Sequence, residues 1–109
     1  MPKTIQIVRK PNGRLEPVNG PRDRLKRGES VVFTPGPGAA GLMVEFTGAS
    51  PFGDGPGDSK FAYDHEKTVH KDFDESPGAT NVYVYVCHAD SDNAPPVPGD
   101  GGEIEVVRG

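Results

Sequence analysis

A chain of 109 residues, 33 % hydrophobic and 7 % aromatic with no Trp, is one domain around a single modest core. No apolar run approaches the ~20 residues of a bilayer-crossing helix, and the lone cysteine excludes an intramolecular disulfide. Twelve Lys/Arg against sixteen Asp/Glu give a formal charge of -4, so the chain has no overall pull toward nucleic acid or an anionic surface.

In chain order, MPKTIQIVRK shows no apolar stretch or small-residue cleavage site of a signal peptide. A cytoplasmic location is therefore expected, or an exported one if a leader precedes this sequence. KTIQIVRK alternates, with Ile5 and Ile7 on one face, and predicts a half-buried strand. PNGRLEPVNGPR carries two Asn-Gly turn signals and predicts a hairpin-like excursion or loop. RLKRGESVVFTP places Leu25 before a Gly turn and alternates Val31 and Phe33 after it. After the sharp PGPGAAG connection, LMVEFTG sets Leu42, Val44 and Phe46 on one face.

Residues 48–66 read as a long irregular loop tacked down by Phe52, Phe61 and Tyr63. KTVHKDFDE alternates as a strand, SPGATN is a turn, and VYVYVCH is the strongest strand in the chain. ADSDNAPPVPGDGG is a second long loop, and EIEVVRG closes the chain with Ile104 and Val106 on one face. Gly (15) and Pro (12) cluster between these short apolar runs, and no stretch of ten residues keeps a helical period. The expectation is one all-β domain over residues 1–109, an antiparallel sandwich or barrel of about seven short strands.

The charge is uneven: residues 1–27 carry eight Lys/Arg against two acids, and the remainder four against fourteen. A basic patch for nucleic acid is one reading. The other is that the two ends of the chain pair and their charges intermix. No aromatic residue lies in 1–27 to stack on bases, so the second is expected, with no nucleic-acid partner.

The order of the elements resembles the cupredoxin family. RLKRGESVVFTP looks like the family's strand, Gly-Asp/Glu turn and V-x-F strand; GLMVEF is similar to the strand behind its first histidine ligand. FDESPGATNVYVYVCH resembles its Pro-Gly turn and Y-x-Y/F-x-C strand, and GGEIEVV its closing strand. The resemblance spans about residues 3–108 and implies a Greek-key sandwich. It also implies a blue-copper site of two His, one Cys and a weak axial Met. Only Cys87 occupies a ligand position. The first histidine falls near Leu42, the second among Asp90, Ser91 and Asp92, and the methionine within PPVPGD. What is implied is a cupredoxin-like domain without type 1 copper.

Cys87 can be a structural thiol, a metal ligand or a nucleophile. Adjacent residues of an extended chain point to opposite faces, so Cys87 and His88 chelate one ion only if the strand bends there. Cys87 shares the expected core face with Tyr83 and Tyr85, where a lone thiol behaves as a small hydrophobe. The alternative is a rearranged copper site using Cys87 with His65, His70 or His88. Asp90, Asp92, Asn93 and Asp100, with Asp54, Asp58 and Asp64, offer oxygens suited to Ca²⁺, but the D-x-D-N start lacks the Gly and Glu of an EF-hand loop.

No catalytic constellation stands out, so no enzyme and no cofactor are expected. Val82, Val84 and Val86 give VYVYV a second apolar face needing cover, from the 48–66 loop or from another subunit. The expected function is a binding or interaction module, with a protein partner or self-association. Phe52, Asp54, Phe61, Tyr63, Asp90 and Asp92 are the candidate contact residues.

Overall fold

The computed structural model describes residues 2–89 and 100–108. Its strands are β1 (Lys3–Arg9), β2 (Leu15–Pro17), β3 (Arg22–Lys26), β4 (Ser30–Pro35), β5 (Met43–Phe46), β6 (Lys60–Ala62), β7 (Lys67–Thr68), β8 (Val82–His88) and β9 (Gly102–Val107). One helical turn, α1 (Pro56–Ser59), precedes β6. Two sheets form, in the orders β2-β1-β4-β7 and β3-β9-β8-β5-β6.

Period-two alternation decides which side chains enter the space between the sheets. Ile5 and Ile7 of β1, Val31 and Phe33 of β4, Val44 and Phe46 of β5, and Ile104 and Val106 of β9 are all buried. At the centre, Phe33, Phe46, Phe61 and Tyr85 pack as tilted and edge-on pairs with centroids 5.2 to 6.4 Å apart. Truncating such a ring to Ala costs about 3–5 kcal/mol.

The all-β expectation holds, but the sheets are mixed, not antiparallel. β1 runs parallel to β4, with Ile5 opposite Phe33, and β3 runs parallel to β9, with Leu25 opposite Val106. The cause lies in RLKRGESVVF. The turn at Gly28, with φ +91°, does not fold a hairpin. It carries the chain from the five-stranded sheet to the four-stranded one, so β3 and β4 never pair.

Nine strands are present among the described residues, not seven. The Asn12-Gly13 turn closes a true hairpin, β1–β2, in which Lys10 N–H donates to the Arg14 carbonyl at 2.8 Å. The 48–66 loop contributes α1 and β6. KTVHKDFDE, by contrast, keeps only two residues of ladder in β7. Beyond them the Pro51 carbonyl accepts both the His70 and Lys71 amides, at 2.9 and 3.2 Å, and draws the chain away.

The aromatic anchors of the 48–66 loop do not cover the valine face of β8. β6 pairs with β5 in a register that sets Phe61 opposite Val44, so Phe61 turns inward with it, and Phe52 packs edge-on against Phe46 and Phe61. Val84 on the outer face stays 47 % exposed.

Candidate functional site

Cys87 lies near the end of β8, opposite Val44 of β5, and is 1 % exposed. Burial first, and the nearby Asp100 carboxylate second, push its thiol up to about 12. A reactive cysteine needs electropositive surroundings that stabilise the thiolate; here both influences stabilise the neutral thiol. His88, the next residue, projects to the opposite face, where its Nε2 lies 3.1 Å from Glu45 Oε1.

His65 lies between β6 and β7, and His70 follows β7; both are exposed. Among the described residues, no three His, Cys, Asp or Glu side chains come together in a group able to hold a metal ion. Leu42, where the resemblance places a first histidine, is fully buried in the core.

The acidic loop residues have other partners. Asp54 is exposed and accepts a 2.6 Å hydrogen bond from Lys71 Nζ, which raises the Lys71 pKa above its ordinary value. One Asp58 carboxylate oxygen accepts the Gly55 amide at 3.2 Å, and the other lies 3.6 Å from Lys67 Nζ. Asp64 N–H donates to the Phe33 carbonyl from a left-handed backbone, φ +66°. Asp90 and Asp92, with Asn93, lie outside the described residues.

Of the other candidate contact residues, Phe52 and Phe61 are corrected: at 2 % and 4 % exposed they belong to the core and cannot form a contact surface. They do anchor the 48–66 loop, as their aromatic character implies. Tyr63, the third expected anchor, is instead at the surface, 38 % exposed.

Three features escaped the sequence. Asp100 is 8 % exposed, and its carboxylate accepts the Leu15 amide at 2.9 Å across 85 positions. The Tyr85 hydroxyl is buried with no hydrogen-bond partner among the described residues. Beside the uncovered end of β8, an open groove of about 410 Å³ is lined by Thr47, Ala49, Thr80, Val82 and Val84. Only the groove had a signal in the chain, the outward valines of VYVYV. Comparison with known proteins finds no family model that matches this chain and no curated protein that matches it.

Proposed function

We propose that this chain is a cupredoxin-like, Greek-key binding or interaction module that carries out no catalysis, needs no cofactor and holds no type 1 copper. The observation that carries the reading is the placement of Cys87. The one residue at a blue-copper ligand position is buried, its thiolate is disfavoured, and the adjacent His88 points away toward Glu45. The strand order supports the topology, with Cys87's strand β8 lying between β5 and the closing β9.

Binding falls to the surface at the loops and the uncovered sheet face. Among the described residues this includes Tyr63 and Asp54 of the 48–66 loop and the apolar groove at Val84. Asp90 and Asp92, proposed as contact residues from the sequence, lie outside the described residues. The partner is another protein or a second copy of this chain.

The test is a Cu(II) titration followed by visible absorption and by the thermal midpoint. The expected result is no intense thiolate charge-transfer band. A band that disappears in Cys87→Ala would overturn the reading in favour of a rearranged copper site with His65, His70 or His88. Light scattering at high concentration separates the two partner classes: a monomeric mass rules out the second copy.

A further inference from the structure

The chain contains two Asn-Gly pairs, Asn12-Gly13 and Asn19-Gly20, exposed except for the half-buried Gly20, and the fold treats them oppositely. An Asn-Gly pair can deamidate without an enzyme when two groups are free to meet: the glycine amide nitrogen, which attacks, and the Asn carboxamide carbon, which is attacked. At the first pair both groups are held. Asn12 Oδ1 accepts the Arg14 amide at 2.9 Å, and the Gly13 amide donates to the Lys10 carbonyl at 2.8 Å. Arg9 Nη1 adds a 2.8 Å bond to the Gly13 carbonyl, so the turn cannot open its amide without losing several bonds.

The second pair sits in the link that carries the chain from β2 in one sheet to β3 in the other. That link is pinned at its ends, where Val18 N–H donates to Gln6 O at 2.9 Å and Pro21 O accepts from Glu103 N–H at 2.8 Å. Between the pins, neither the Asn19 side chain nor the Gly20 amide has a hydrogen-bond partner among the described residues. Gly20 stands at φ +116°, a conformation open to glycine that strains other residues.

We infer that Asn19-Gly20 is a site of spontaneous deamidation and that Asn12-Gly13 is protected by its turn. In the reaction the Gly20 nitrogen gives up its proton and forms a bond to Asn19 Cγ. The bond from Cγ to the side-chain nitrogen breaks, and ammonia leaves with that proton. Water then opens the resulting cyclic imide at one of its two carbonyls, leaving an aspartyl or an isoaspartyl residue at position 19. Nothing is oxidised or reduced, and water is the only co-reactant. The new carboxylate lies in the same surface hollow as Asp23, together with Thr4, Gln6 and Pro17. The isoaspartyl product also lengthens the backbone link between the sheets by one methylene.

The experiment ages the full chain in mildly alkaline buffer, folded and in denaturant, and follows both sites by peptide mapping and mass spectrometry. In the folded protein, conversion at position 19 is expected to run several-fold faster than at position 12. In denaturant, where the turn's hydrogen bonds are gone, the two rates should converge. Equal rates in the folded protein, or faster conversion at position 12, would overturn the inference. So would a preference for position 19 that persists undiminished in denaturant, since the cause would then be the neighbouring sequence and not the fold.

Discussion

Tyr85 is the largest fully buried side chain in the molecule, and its hydroxyl has no hydrogen-bond partner among the described residues. A buried unsatisfied hydroxyl carries a desolvation cost of about 1–3 kcal/mol. Tyr85→Phe keeps the ring contacts with Phe33 and Phe46 and removes that cost. Its urea midpoint is therefore expected to equal or exceed that of the parent; a fall worth more than about 1 kcal/mol would show that the hydroxyl has a stabilising partner. Cys87, two residues on, gives a pH signature. Its thiol ordinarily titrates at 9.0 but is held to about 12 in the fold. Between those values the unfolded chain sheds a proton that the folded chain keeps, so stability falls as pH rises, by at most about 1.4 kcal/mol per pH unit from this group. Urea midpoints across that range should converge for the parent and Cys87→Ala, which lacks the titrating thiol; parallel curves would contradict this. The inward direction of Cys87 was legible because strand alternation is local. The missing partner of Tyr85 was not, because it depends on what the opposite sheet places near the hydroxyl.

At the level of elements, β2 is only three residues long and depends on a distant segment. The Leu15 amide donates to the Asp100 carboxylate and its carbonyl accepts the Gly101 amide, at 2.9 and 2.6 Å, which closes the outer edge of the four-stranded sheet. Gly101 fits there because a Cβ would stand 2.0 Å from the Tyr85 carbonyl oxygen. Asp100→Ala strips the buried Leu15 amide of its acceptor and is expected to cost about 1–3 kcal/mol. Asp100→Asn retains a carbonyl oxygen and should cost less, as thermal melts of the two variants can establish. In the sequence Asp100 read as one acid in a polar loop, since a bond across 85 positions leaves no local mark. Strands with continuous alternation, β1, β5, β8 and β9, were visible in advance. KTVHKDFDE alternates as well, and was misjudged because a competing carbonyl, that of Pro51, takes the amides its ladder would use.

For the whole molecule, a radius of gyration of 13.4 Å fits one compact domain of this length. The uneven charge of the chain is resolved by its parallel pairing. Arg22 and Arg24 of β3 face Glu103 and Glu105 of β9 at 3.0 to 3.8 Å, and Arg27 meets Asp72 at 2.7 Å. Exposed pairs of this kind contribute about 0–1 kcal/mol each, so their larger effect is on which strands pair. Glu105→Arg sets three like charges together and is expected to lower stability by about 1 kcal/mol. Added salt should recover part of that loss; a salt-independent loss would place its origin in packing instead. That the ends of the chain intermix was legible from the uneven charge together with the lack of aromatics in 1–27, whereas their parallel direction was not, because composition carries no orientation.

The β3–β9 pairing also sets a clock. β3 is an edge strand whose one neighbour among the described residues lies 81 positions further along the chain. During synthesis β1, β2 and β4 can assemble early, while β3 waits with its backbone unpaired until β9 emerges. Non-local pairing of this kind slows folding, and an open strand edge is a template for other chains. The exposed charges of β3, Arg22, Arg24 and Lys26, make that edge a poor template, both before β9 arrives and afterwards on the side with no strand neighbour among the described residues.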